Sequence, residues 1–198
     1  MREMILALLL GASLCAYDTA HLKKAVEDKE CVGCDLRGAD LRDIDFSGGD
    51  LSRSDLSGAD LSRSLFVMCD LNDANLSHAK AEGSIFWKGS LEGSDLSYIR
   101  AKGANFKGTH LNRADLSHGD LRGTKSWKAN FTDATLLKTD FSGAELGDAK
   151  FIRNDMRTAK MKNALLWQTY FSNTLMSKSQ CAFAKKEEAI FDFNVTCR

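Results

Sequence analysis

The sequence predicts an all-β solenoid wound in coils of four five-residue units, and three observations carry that expectation. Reading every fifth residue from Leu36 to Met176 gives 29 positions, of which 26 are Leu, Phe or Met; Ala81, Ala101 and Ser126 are the exceptions. The residue two places before each is Ala, Gly, Ser, Thr or Cys in 26 of the 29 units, the others being Ile44, Ile99 and Asn154. Large residues also recur at a spacing of 20, as in Phe46, Phe66, Phe86 and Phe106, then Phe131, Phe151 and Phe171. A period of five fits neither the helical period of about 3.6 nor the strand period of about 2. Fixed self-similarity with one small and one large inward residue per unit marks a solenoid. Where one corner stack changes from Phe106 to Ser126, its neighbour changes from Leu111 to Phe131, which keeps the core volume per coil roughly level.

Taken in chain order, residues 1–15 read as a signal peptide. Ile5 to Ala12 are mostly apolar but too few to span a bilayer, and Ser13 and Cys15 are small residues suited to cleavage before Ala16. A lipid anchor on Cys15 and a retained apolar segment stay open as alternatives, although Ala12 and Leu14 stand where an acylation site wants Leu and a small residue. No later stretch is long and apolar enough to span a membrane. Residues 16–33 are expected to form a helical cap, with Asp18 or Thr19 as N-cap and Leu22, Ala25 and Val26 on one face. Residues 34–178 form the coils. Residues 179–198 leave the five-residue register, and Phe183, Ile190, Phe191 and Phe193 are available to cover the last coil. Solenoid ends expose open strand edges that need covering, and a dimerisation surface is the other reading of this tail.

Units such as Ala39-Asp40-Leu41, Ala74-Asn75-Leu76 and Ala104-Asn105-Phe106 closely resemble the A(D/N)LXX motif of the pentapeptide-repeat family. The resemblance covers roughly residues 34–178 and implies a right-handed quadrilateral β-helix with the central and the small residue pointing inward. Twenty-nine units then make just over seven coils, about 34 Å long at strand spacing. Cys31-Val32-Gly33-Cys34-Asp35-Leu36 resembles the C-x-x-C-D-L opening of exported members of that family, including thylakoid-lumen proteins. A local disulfide between Cys31 and Cys34 is favoured; a reduced pair and a redox or metal role stay open, with no βαβ pattern and no second ligand pair to support the latter. Cys181 and Cys197 are placed to staple the tail, and Cys69 sits at an inward small position as a buried thiol. Such bridges persist in an oxidising compartment, which export implies: a periplasm, an organelle lumen or the medium.

Composition narrows the function. The chain is 43% hydrophobic and 27% charged with zero formal net charge, which argues against disorder and against a strongly basic nucleic-acid binder. Some members of the resembling family mimic DNA and bind gyrase through a strongly acidic surface; neutrality and export both count against that here. Of the four histidines, His78 and His118 share an outward column two coils apart, about 9.6 Å at strand spacing and too far to share a metal. The stacked pairs Asp35/Asp55 and Asp95/Asp115 offer at most a weak cation site. No catalytic constellation, cofactor fingerprint or metal-ligand pattern is found, so the expectation is not an enzyme, with no cofactor and no metal.

One face differs from the other three. Around inward residues 46, 66, 86, 106, 126, 146 and 166 the outward positions include Leu65, Val67, Met68, Ile85, Trp87, Trp127, Leu165 and Trp167. All three tryptophans fall in one column, 40 residues apart, which predicts a spacing of about 9.6 Å along a line. Lys88, Lys107, Lys125 and Lys128 are interspersed. Exposed apolar clusters and Trp above all mark interaction sites, against the plain alternative of rings lying flat under Lys stems. The expected function is an exported interaction scaffold whose partner is another protein or a second copy, with a carbohydrate-binding surface as the alternative.

Overall fold

The structure, a computed structural model, describes residues 17–192 and 194–198. The expected signal peptide and Phe193 lie outside the described residues. From Glu30 to Leu175 the chain advances through parallel bridges in which each residue pairs with the one 20 positions on, beginning at Glu30–Asp50 and ending at Asp155–Leu175. Four five-residue sides therefore make one coil. Most sides turn on a hydrogen bond from the amide three residues past the inward residue back to that residue's carbonyl, as in Ala39 N–H to Leu36 O at 3.1 Å, whereas the Ile44 amide donates to Ser64 Oγ at 3.2 Å. Thr158 aside, each turn places a left-handed residue two places past the inward one, and Arg53, Met68, His78 and Lys88 adopt it as well as glycines.

The frequent Asp or Asn just before the inward residue has a local cause. Its Oδ1 accepts the amide N–H two residues on, as at Asp45 to Ser47 (2.8 Å) and Asp95 to Ser97 (2.8 Å). This Asx turn closes the corner. Where Arg follows, its guanidinium also bonds that carboxylate at both oxygens, as in Arg37–Asp35 and Arg42–Asp40.

Inside, like residues stack along the axis. Phe46, Phe66, Phe86 and Phe106 lie nearly parallel with ring centroids 5.2, 4.9 and 4.9 Å apart. Phe131, Phe151 and Phe171 continue at 4.8 and 5.3 Å, and Phe141 meets the first two edge-on. Several inward hydroxyls are satisfied by carbonyls of the coil before: Thr109, Thr139, Thr169 and Thr174 donate to carbonyls 23 residues back at 2.7–2.9 Å, whereas Ser84, Ser94 and Thr124 donate three residues back in their own coil. Asn154 departs from this pattern. Its Nδ2 donates to Phe131 O and Ala134 O, each at 2.8 Å, and beside it Thr135 and Asp155 do not bridge each other.

Both ends are covered. Helix α1 (Thr19–Asp28) is capped by the Asp18 carboxylate, which accepts from the amides of Ala20 and His21, and it buries Leu22 and Ala25 on the first coil. Glu30 already bridges Asp50, so the coil begins earlier than residue 34, with Cys31 buried in the large inward position and joined to Cys34 by a disulfide. Near the C terminus the short strands β1 (Lys150–Ile152), β2 (Tyr170–Ser172) and β3 (Leu175–Met176) precede helix α2 (Lys178–Lys186), after which come β4 (Ile190–Phe191) and β5 (Thr196–Cys197). The tail does not stay out of register. Tyr170 pairs with Ile190 and Phe171 with Phe191, again 20 residues apart, because α2 replaces two sides of the last coil and returns the chain to the third. β5 then pairs with β3, and a disulfide ties Cys197 to Cys181 on α2. Gln180 completes a capping box with Ser177, and its Nε2 donates to Met156 O and Ala159 O.

Candidate functional site

The side that carries Phe46, Phe66, Phe86, Phe106, Ser126, Leu146 and Leu166 presents three outward columns. The column before the inward residue runs Asp45, Leu65, Ile85, Asn105, Lys125, Glu145, Leu165, each bridged to the next. The column after it runs Ser47, Val67, Trp87, Lys107, Trp127, Gly147, Trp167. The third, in the left-handed turn position, runs Gly48, Met68, Lys88, Gly108, Lys128, Asp148, Gln168.

The tryptophans share a column without keeping an even spacing. Trp127 leans along the axis over Gly147, close enough that a Cβ there would sit 2.4 Å from the ring. Its centroid comes within 6.2 Å of Trp167 at a tilt of 47°, in place of the even ladder expected from coil height, and its Nε1 donates to Glu145 Oε2 at 3.1 Å. The missing side chain at Gly147 makes this possible. Trp87 stands apart, with Lys88 Nζ 4.9 Å from its ring centroid. Two apolar zones result. Leu65, Val67, Met68, Ile85 and Trp87 form one; Trp127, Leu165 and Trp167 form the other; Asn105, Lys107 and Lys125 lie between. Met68 is 62% exposed, Leu165 52%, Trp167 50% and Trp87 38%, whereas Leu65, Val67, Ile85 and Trp127 are half-buried.

The remaining residues singled out by sequence are distributed as follows. His78 and His118 do share a column, but the Tyr98 ring lies between them, stacked on each at 4.8 and 4.6 Å. Sequence reading passed over this external stack, although the spacing of 20 that groups its members was available. The carboxylates of Asp35, Asp55, Asp95 and Asp115 are engaged by the amides two residues on. The Arg37 guanidinium beside Asp35 holds its carboxyl down at about 2. Cys69 is buried and unpaired, and burial pushes its thiol up to about 12, which leaves it a poor nucleophile. A shallow recess of about 190 Å³ opens between Met161, Lys162, Ser179, Gln180 and Phe183, smaller than the roughly 300–1,000 Å³ typical of ligand pockets. No group of His, Cys, Asp or Glu among the described residues is placed to hold a metal ion, and no helix there is long and apolar enough to cross a membrane.

A family model described as pentapeptide repeats matches the chain in eight copies, over residues 30–66, 69–108, 90–125 and 129–168. Among solved structures the chain is similar to QnrB1, described as a plasmid-mediated fluoroquinolone resistance protein, at 19% identity over 72% of this chain and 84% of that one, with a TM-score of 0.41. It is similar to a pentapeptide repeat protein from the Arabidopsis thaliana thylakoid lumen at 30% identity over 59% and 68% of the two chains, with a TM-score of 0.25. HetL, from the cyanobacterium Nostoc sp. strain PCC 7120 and involved in heterocyst differentiation regulation, matches at 18% identity over 82% and 84%, with a TM-score of 0.25. No curated protein matches.

Proposed function

Because the chain belongs to the pentapeptide repeat family, we propose that it is an exported, non-catalytic scaffold, a right-handed quadrilateral β-helix that binds another protein through its Trp-bearing face. The observation that carries this reading is the concentration of exposed apolar side chains on that one side: Met68, Trp87, Leu165 and Trp167. Trp is the residue most enriched at interface hot spots, and exposed apolar zones rimmed by polar and charged residues mark docking sites. Export is supported by the Cys31–Cys34 and Cys181–Cys197 bridges, which persist where thiols are oxidised. A glycan is the second reading. Against it, Trp127 is tilted on Trp167 with its Nε1 committed to Glu145, so the two rings do not offer a sugar one flat platform.

The test is affinity capture with the purified chain beside a Trp87→Ser, Trp127→Ser, Trp167→Ser variant, both checked for folding by circular dichroism. A partner held by the wild type, lost by the variant and undisturbed by free oligosaccharide supports the reading. A partner held equally by both sinks it, and release by sugar turns it to the glycan.

A further inference from the structure

Resting on the assignment of the Trp-bearing face as the interaction surface, we propose that its occupant is a second copy of this chain. The two copies pack face to face and antiparallel, about a twofold axis running across the face between the coils of Phe106 and Ser126. Such an axis, lying along the strand direction, keeps every outward column opposite itself and reverses the order of the coils, as an isologous contact requires. The constant step of 20 residues per coil makes the pairing explicit.

Leu65 then meets Leu165, and Val67 meets Trp167. Trp87 meets the position of Gly147, where the Trp127 ring already lies, so indole faces indole across the interface. Lys88, held over the Trp87 ring, meets Asp148. Lys107 meets the coil of Trp127. Three meetings set polar against apolar: Ile85 with Glu145, whose carboxylate is turned toward the Trp127 Nε1, Met68 with Gln168, and Lys107 with Trp127.

The other twofold arrangement, with its axis parallel to the solenoid axis, sets each coil against itself with the column order reversed. Glu145 would face Asp148, and Lys125 would face Lys128. Like charges across an interface suppress a pairing, so the charge pattern selects the antiparallel form. Six coils at about 4.8 Å spacing give a footprint about 24 Å long, which belongs at the low end of specific interfaces, near or below ~1,200 Å² in total. The dimer is accordingly concentration-dependent.

Sedimentation velocity over a concentration series tests it, with Lys88→Asp, Asp148→Lys and an equimolar mixture of the two. Each variant alone puts like charges at both symmetry-related contacts, while the mixed pair restores opposite charges at both. Both positions have left-handed backbone (φ 55 and 56°) that Lys and Asp already occupy in this protein, so folding is not at risk. The expected result is a wild-type dimer, association at least ~10-fold weaker in each variant, and dimer recovered on mixing. A wild type that stays monomeric, or variants whose mixture behaves like its components, overturns the proposal. If the wild type is monomeric yet Trp-dependent capture of another protein persists, self-pairing alone falls. A dimer that survives the triple Trp→Ser change overturns the assignment of the face itself.

Discussion

Asn154 occupies an inward column otherwise filled by Cys34, Ser54, Ala74, Ser94, Ala114, Ala134 and Thr174. Its amide nitrogen donates to Ala134 O while the ladder between Thr135 and Asp155 stands open, and its Oδ1 is buried without a partner among the described residues. A buried unsatisfied acceptor costs about 1–3 kcal/mol. Thr would donate to Phe131 O as Thr174 donates to Phe151 O. Asn154→Thr should therefore stabilise the fold by about 1 kcal/mol, read as a higher midpoint in urea; an unchanged or lower midpoint contradicts this account. Gly147 makes a second single-residue case. Gly147→Ala places a Cβ inside the Trp127 ring, so the ring must swing out, lose Glu145 and emit further to the red. Because that indole is already half-exposed, the cost in stability should stay within about 1 kcal/mol. Acid supplies a third. The bond from Arg37 holds Asp35 below its ordinary 3.8, at about 2, and Asp40, Asp120 and Asp155 are lowered in the same way by Arg42, Arg122 and Arg157. A depressed carboxyl adds stability above its ordinary value and loses it as pH falls through the folded one. The urea midpoint should decline between pH 4 and 2, modestly because these pairs are exposed and screened. Arg37→Gln should flatten part of that decline.

Among the elements, α2 and β5 form a clip over the last coil, closed by Cys181–Cys197 across 16 residues. A loop of that length stabilises by roughly 3 kcal/mol. Replacing both cysteines with Ala should raise amide hydrogen exchange across 178–198 while the coils from Leu36 to Phe151 keep their protection, since a solenoid's stability is a sum of neighbouring contacts. Equal exchange in both proteins would show that β5 is held by Thr196 and Arg198 hydrogen bonds alone. The clip also shows where sequence reading stops. The five-residue spacing is legible because each coil repeats the same inward residues, but nine helical residues interrupt it after Met176. Only the distance from Phe171 to Phe191 betrays the return. The Trp column was equally legible as a column, since the backbone alone determines it. The lean of Trp127 was not, because it depends on a side-chain torsion and on the space left at Gly147.

At the scale of the molecule, position along the chain translates into two coordinates, side and height. Faces therefore depend on counting. Removing residues 101–120, one whole coil, should leave a folded protein with Trp87, Trp127 and Trp167 still on one side, checked by circular dichroism and cooperative urea unfolding. Removing residues 101–105 alone should turn everything beyond by a quarter revolution, carry Trp127 and Trp167 to a neighbouring side, and abolish capture of any partner that needs all three. The same arithmetic governs heredity. For a chain built on parallel pairs 20 residues apart, in-frame gain or loss of a full coil is a change in length that lineages can try cheaply. Any shorter slip moves the surface to which the partner is adapted, so descendants of this protein should differ in height far more readily than in the side they use.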